Sequence, residues 1–133
     1  MESLIKTAQF LSDKRNSYFA WSKNDCTTMV LELHDKLYGT DTLAILYGKY
    51  SNQRQAYRLA KTVEVKELLQ DIGYEQRKTP KSGDVVLIKH KHGYYSHIYF
   101  DGNLFSMDEQ QHATAIAWKA VKDHNPIIMR YSK

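Results

Sequence analysis

The stretch from Asn24 to Gly39, NDCTTMVLELHDKLYG, carries the clearest helix signal in the chain. Its apolar positions recur at helical spacing at Cys26, Met29, Val30, Leu33 and Leu37. Asn24 or Asp25 can cap the N-terminus, because a short side-chain oxygen accepts a hydrogen bond from a free N–H of the first turn. Gly39 suits the left-handed residue that follows a last turn. We therefore predict a helix with one buried face that begins near Cys26.

Helical patterns fill the first half of the chain around this element, and strand patterns fill the second half. An apolar stripe predicts a helix over 2–14, and two or three short helices are expected within 41–72. Strands are predicted at 84–89, 95–100, 104–107, 113–121 and 127–131. Helices followed by strands with short turns predict an α+β fold with a C-terminal antiparallel sheet of about five strands.

Composition and charge narrow the class of protein. The 133 residues, 42% hydrophobic and 26% charged, predict a single globular domain over 1–133. One cysteine excludes an intramolecular disulfide and a multi-cysteine zinc site. The net charge of +4 comes from scattered basic residues, so we expect no nucleic-acid partner. No apolar run suits a signal peptide or a membrane span, so we expect synthesis in the cytoplasm and no membrane span.

Cys26 falls in the first turn of the predicted helix. A helix N-terminus carries partial positive charge and unpaired N–H groups, which stabilise a thiolate and should lower the thiol pKa. A backbone N–H at the same helix start can also receive an oxyanion. Cys26 is therefore a candidate nucleophile. The alternative is that it is a small buried hydrophobic residue on the apolar face of the helix.

A nucleophilic thiol needs a base within hydrogen-bond reach. Among the six histidines, His97 is the candidate, because it stands in a predicted strand whose pleat fixes the direction of its side chain. A half-buried structural histidine is the alternative. His34 lies two turns along the Cys26 helix and is expected at the surface.

A metal site built from His90, His92 and His97 is a further interpretation of the histidine pattern. A His-x-His pair can place two imidazoles on one face of a strand. Gly93 indicates a turn at this point, however, and no acidic fourth ligand accompanies the set. We therefore expect no metal and no cofactor.

Three short motifs follow one another along the chain. They are YFAWSKNDC at 18–26, GDVVL at 83–87 and SHIYFDGN at 96–103. Together they resemble the NlpC/P60 and CHAP superfamily of papain-like cysteine peptidases and amidases, over about residues 15–107. They are most similar to a compact branch from phage tail gene clusters with a Trp-Gly-x-x-Asp-Cys motif, in which Ser22 replaces the Gly. The resemblance implies that the Cys helix packs on the sheet.

The resemblance also implies catalytic roles. It makes Cys26 the nucleophile and His97 the general base, with a polar residue on the following strand to orient the imidazole. Ser106 or Asp108 can fill that position, because both lie on one strand face, and only Asp108 would stabilise an imidazolium by charge. Tyr18 is the nearest candidate for binding the oxyanion.

Three further residues of these motifs are expected to support the site. Trp21 is expected to wall the cleft. Asp25 is expected to cap the helix start rather than to take part in catalysis. Asp84, after Gly83, is expected to tie down a turn by backbone hydrogen bonds.

Two functions are consistent with these residues. The first is a cysteine hydrolase that cleaves peptide or amide bonds, in peptidoglycan stem or cross-link peptides, through an acyl-thioester on Cys26. The second is an inactive peptidase-like fold that serves as a structural or assembly protein of a phage tail. The expected partners are a peptidoglycan peptide or another peptide, and phage tail proteins. The expected location is the host cytoplasm after synthesis, or the virion tail.

Overall fold

The computed structural model describes residues 2–132, and its helices precede its sheet as predicted. The helices are α1 (Glu2–Lys14), α2 (Cys26–Tyr38), α3 (Gln53–Ala60) and α4 (Val65–Ile72). The strands are β1 (Tyr74–Arg77), β2 (Val85–His90), β3 (Gly93–Phe100), β4 (Asn103–Asp108), β5 (His112–Ala117) and β6 (Ile127–Tyr131). Within residues 2–132, no helix combines the length and the apolar character needed to cross a membrane.

The six strands form one antiparallel sheet in the order β1-β6-β2-β3-β4-β5. Strands β2 to β5 are the predicted meander, while β6 returns across the sheet to pair with β2. Strand β1 was not predicted, because the segment from Tyr74 to Arg77 is mostly polar. It forms because it pairs with β6, in the register Tyr74 to Tyr131.

Helix α2 begins and ends where the sequence predicts. The Asp25 carboxylate accepts a bond from the Thr28 N–H at 2.9 Å, and the Thr28 hydroxyl accepts one from the Asp25 N–H at 2.8 Å. This reciprocal pair satisfies two donors at the helix start. At the other end, Gly39 adopts φ 66 and donates its N–H to the Asp35 carbonyl, which ends the helix. Cys26 is therefore fixed as the first residue of α2.

Both faces of the sheet are buried. One face packs against α2 and carries the main core, with Met29, Leu33, Val85, Leu87, Ile98 and Met129. The opposite face carries Val86, Leu104 and Ile128, which pack under Trp118 and Val121. Because side chains alternate along a strand, neighbouring residues of one strand enter different clusters.

A second layer of helices lies beside α2. Buried Leu31 of α2 packs with Leu46, Tyr50 and Leu68, and half-buried Leu59 packs against them. The burial of these side chains removes apolar surface from water and holds α3 and α4 near the start of α2. This arrangement leaves a cleft between the helices and the β2–β3 hairpin.

Candidate functional site

The cleft, of about 480 Å³, lies at the start of α2. Its walls come from the loop before α2, from α3 and α4, from the β2–β3 hairpin and from the turn after β4. The residues that give it chemical character are Trp21, Asp25, Cys26, Thr27, Tyr50, Tyr57, Glu64, Lys89, His92, Tyr94, Tyr95, Asp108 and Glu109. The cleft thus combines a thiol with aromatic walls and a rim that carries both signs of charge.

Cys26 is half-buried, and its Sγ lies 3.8 Å from the Thr27 hydroxyl. Burial, and then the charge of Asp25, raise the pKa of the Cys26 thiol to about 11. The backbone N–H of Ser96 and the Thr27 side chain oppose this rise without cancelling it. The pKa of this thiol is therefore raised and not lowered as predicted, because burial and the adjacent carboxylate both disfavour the thiolate. The thiol is protonated at neutral pH.

His97 lies on the face of the sheet that is turned away from α2. It is the register partner of Val86, and its Nδ1–H donates to the Val86 carbonyl at 3.3 Å. Its neighbour Ile98 enters the core beside Met29, so alternation sends His97 to the opposite face. The predicted pairing of Cys26 with His97 is wrong for this reason. Burial lowers the pKa of His97.

Ser96 is the residue of β3 that meets the start of α2. Its hydroxyl lies 3.1 Å from that of Thr27, and the residue is 0% exposed. The β3 side chain that contacts Thr27 at the start of α2 therefore carries a hydroxyl and not an imidazole.

The two residues predicted to orient His97 have other partners. The Ser106 hydroxyl donates to the Ser96 carbonyl at 2.8 Å. The Asp108 carboxylate accepts bonds from the N–H groups of Gln110 and Gln111 at 2.8 Å and 3.0 Å, and so closes the β4–β5 turn. Neither of these bonds goes to the imidazole, so the structure does not show the predicted orienting contact of Ser106 or Asp108 with His97. Asp108 does line the cleft.

Of the two residues predicted to belong to the cleft, the structure places Trp21 in its wall and Tyr18 outside it. Tyr18 is 77% exposed, packs edge-on against His112 and is not among the residues that line the cleft, where the predicted oxyanion role would place it. Trp21 is a wall of the cleft as predicted. Its indole N–H donates to the Glu109 carboxylate at 2.9 Å, which fixes the plane of the ring.

Asp25 is a structural residue, as predicted, and it joins three segments. One oxygen caps α2, while the other accepts the Ser22 N–H at 2.8 Å and a short hydrogen bond from the buried Tyr50 hydroxyl. Ser22 has φ 61, in the left-handed region that favours glycine. It stands where the Trp-Gly-x-x-Asp-Cys motif that this segment resembles has its glycine. Its hydroxyl accepts the Gly48 N–H at 3.1 Å, which helps to hold this conformation.

Asp84 ties down its turn by accepting the Lys81 N–H at 2.8 Å, which confirms the prediction. It also receives the Arg130 guanidinium, with nitrogen–oxygen distances of 2.9 Å to each carboxylate oxygen. This ion pair was not predicted, because Arg130 lies on β6, whose return to β2 is not visible in local sequence.

His34 is buried, with 1% exposure, and shares a 2.9 Å hydrogen bond with the Tyr74 hydroxyl. Its predicted surface position is wrong, because β1 and β6 cover this end of α2 with Tyr74 and Tyr131. Burial lowers the pKa of the imidazole.

The remaining histidines of the hairpin stack on tyrosines. His90 stacks on Tyr95 at 4.0 Å between ring centroids, and His92 stacks on Tyr57 at 4.3 Å. Within residues 2–132, no three or more His, Cys, Asp or Glu side chains come together in a way that could hold a metal ion.

Four tyrosines of the cleft were not predicted. Tyr50 comes from the loop before α3, Tyr57 from α3, and Tyr94 and Tyr95 from β3. The neighbouring Tyr57 hydroxyl, and then burial, raise the pKa of Tyr95 to about 12. With ten tyrosines in the chain and no shared spacing, the sequence offers no signal that selects these four.

The fold is a small α+β domain, and its cleft holds the Cys26 thiol together with the ring of His92, which stacks on Tyr57. The chain belongs to the DUF6950 family, described as a domain of unknown function, whose match covers residues 4–123. A search of the curated proteins gives no match.

Proposed function

We propose that this protein is a catalytically inactive, peptidase-like domain that binds a polypeptide segment in the Cys26 cleft. Its role would be structural, in the assembly of a phage tail, which is the second function that the sequence predicts. The observation that carries the proposal is the direction of His97, which is bonded to the Val86 carbonyl on the sheet face turned away from α2.

The chemistry of the cleft argues against acyl transfer. Attack on an amide carbonyl needs a thiolate, or a base that removes the thiol proton as the bond forms. The raised pKa of Cys26 keeps the thiol protonated, and the hydroxyl of Ser96, which contacts Thr27 beside it, is no base at neutral pH. His92 lines the cleft, but its ring stacks on Tyr57.

The walls of the cleft favour binding instead. Ligand pockets are concave and largely apolar, with a few polar groups that fix orientation. Trp21 and Tyr57 supply aromatic surface, and Ala60 and Leu59 lie beside them. An extended polypeptide can place apolar side chains against these surfaces while its backbone meets the charged rim.

A cysteine hydrolase of peptidoglycan peptides is the competing function. The observation that favours it is the position of Cys26, which begins a capped helix and opens into the cleft. The resemblance to the NlpC/P60 superfamily points in the same direction. The two functions differ in what they require of the sulfur atom, so one experiment separates them.

The first measurement is turnover. Purified protein is incubated with peptidoglycan muropeptides and with a mixed peptide library, and the products are analysed by mass spectrometry beside the Cys26→Ala variant. We expect no product above the level of the variant. Cleavage that disappears in a folded Cys26→Ala protein would overturn the proposal in favour of the hydrolase.

The second measurement is particle assembly in a phage that encodes this chain. Cys26→Ala should leave infectivity unchanged, whereas Ala60→Trp should reduce it, because the indole fills the cleft. Ala60→Ser is the matched control, since it changes the same residue without closing the cleft. Loss of infectivity with Cys26→Ala, or none with a folded Ala60→Trp protein, would count against the proposal.

A further inference from the structure

We propose a second binding site, independent of the Cys26 cleft, in the groove between α1 and β5. The geometry points to an extended peptide segment with acidic side chains, which would add a seventh strand to the six-stranded sheet beside β5. The proposal stands on the shape of the groove, on the open edge of β5 and on the charges at its rim.

The groove has a volume of about 350 Å³ and is almost entirely apolar. Leu11 and Ala8 of α1 form one wall, and Ala113 and Ala115 of β5 form the other. Phe105 lies between the two walls. Apolar side chains of a bound segment would remove this surface from water, which is the main source of favourable free energy in such sites.

The backbone of β5 leaves an edge open beside the groove. Trp118, just after β5, donates its N–H to the Gly102 carbonyl at 2.9 Å, on the side of β4. An antiparallel ladder repeats every two residues, so the N–H groups of Ala113, Ala115 and Ala117 face away from β4. Within residues 2–132, β5 is the last strand of the sheet, and no other strand takes up these groups. Unpaired edge groups of this kind accept an added strand.

The side chains of β5 leave room for that strand. Ala115 pairs with Phe105 and Ala113 pairs with Met107, so the alanine side chains lie on the sheet face that packs against the helices. Their small size keeps the space toward α1 unfilled. Alternate side chains of an added strand would enter this space, because successive strand residues point to opposite faces.

The rim of the groove is basic. Lys14 and Arg15 line it, and no acidic side chain does. Lys14 is bound to Glu32 at 2.6 Å, whereas within residues 2–132 no carboxylate lies within salt-bridge distance of Arg15. Opposite charge on a partner is therefore favoured at Arg15. A second copy of this chain would instead bring a net charge of +4 to the same rim, which argues against edge-to-edge self-association.

The test uses two synthetic peptides with blocked termini. One alternates glutamate with valine over seven residues, and the other replaces each glutamate with lysine. Titration into isotope-labelled protein is followed by the amide resonances in NMR spectra. With the acidic peptide, we expect shifts and slower hydrogen exchange at Ala113, Ala115 and Ala117. The basic peptide should bind at least tenfold more weakly.

Variants of the edge and of the rim sharpen the test. Ala115→Pro removes an outward N–H without breaking a bond to β4, and it should weaken binding at least tenfold. Ala115→Ser keeps the N–H and is the matched control. Arg15→Glu tests the charge independently and should reverse the preference between the two peptides.

Three results would overturn the proposal. The first is the absence of shifts at 113–117 with either peptide. The second is equal affinity for both peptides. The third is concentration-dependent dimerisation that Ala115→Pro abolishes, which would assign the edge to a second copy of the chain. None of these results depends on Cys26, so they leave the proposed function of the cleft untouched.

Discussion

The hydroxyl groups of Thr27 and Ser96 lie 3.1 Å apart, where α2 meets β3. This contact places Ser96 on the side of β3 that faces the Cys26 helix, and it turns His97, one residue further, to the other side of the sheet. A displacement of one residue along a strand exchanges the faces of all its side chains. Here that exchange separates the thiol from the imidazole that the sequence motifs would pair with it.

The first prediction concerns the reactivity of Cys26. A thiol with a pKa of about 11 holds roughly a hundredfold less thiolate at pH 7 than one with a pKa near 9. Alkylation by iodoacetamide should therefore be slow in the folded protein and become much faster in 6–8 M urea, at about the concentrations that unfold small domains. Rates measured by mass spectrometry between pH 7 and 10 should still rise at the upper end. A rate that levels off below pH 8 would contradict the raised pKa.

The second prediction concerns the face of β3. Exchanging the two residues in the double variant Ser96→His and His97→Ser moves the imidazole to the side of Thr27 and Cys26. An added Thr27→Ala substitution makes room for the ring. We expect the alkylation rate of Cys26 at pH 7 to rise at least tenfold, because the imidazole can accept the thiol proton.

The control for this exchange is Ser96→Gln combined with His97→Ser and Thr27→Ala. Glutamine is close to histidine in size, so the control supplies a similar side chain without a base. Circular dichroism and urea unfolding establish that both proteins are folded. Equal alkylation rates in the two proteins would show that the face of β3 does not determine the reactivity of the thiol.

The third prediction concerns acid stability. Burial lowers the pKa of both His34 and His97 in the folded state, so the unfolded chain takes up protons first as the pH falls below about 6.5. Because the unfolded state then binds more protons, the free energy of unfolding decreases, by up to about 1.4 kcal/mol per pH unit for each histidine. Urea unfolding between pH 7.5 and 5.5 measures this slope.

Two variants show which histidine causes the change of the unfolding free energy with pH. His34→Gln removes one titrating group and keeps a partner for the Tyr74 hydroxyl, so its slope should be smaller. His97→Gln removes the other buried group, so its slope should also be smaller. The same slope in His34→Gln as in the parent protein would contradict the assignment to His34.

The fourth prediction concerns the pair formed by Asp84 and Arg130. Asp84 is 3% exposed, so Arg130→Met leaves a buried carboxylate with the Lys81 N–H as its remaining polar partner among the described residues. We expect the free energy of unfolding to fall by about 2 kcal/mol, since a buried charge without its partner is costly. Adding Asp84→Asn to Arg130→Met should recover part of this loss. An effect below about 0.5 kcal/mol would place the pair among weak surface ion pairs.

The sequence predicted those helices and strands whose ends are set by residues close to them in the chain. The carboxylate of Asp25 and the freedom of Gly39 mark both ends of α2. The meander from β2 to β5 follows from short turns. Strand β1 escaped prediction because its own residues are polar, and its stability comes from pairing with β6, which is distant in the sequence.

The direction of His97 could not be predicted for a different reason. Val85, Val86 and Leu87 are all buried, at 2%, 0% and 0% exposure, because both faces of the sheet are covered. A strand covered on both faces has no alternation of apolar and polar residues to reveal which face meets which layer. Which of Ser96 and His97 faces α2 therefore depends on tertiary packing. A motif comparison that is displaced by one residue along the strand assigns the wrong side chain to the face that meets α2.

The carboxylate of Asp25 links the cleft to the rest of the fold, since it holds the first turn of α2 and receives the hydroxyl of Tyr50 in the cleft wall. A segment that seats against Tyr50 thereby steadies the anchor from which α2 starts. A segment bound in the cleft should therefore raise the Tm of the protein. Screening candidate ligands for a rise in Tm offers a way to find the natural ligand without assuming any chemistry for the sulfur.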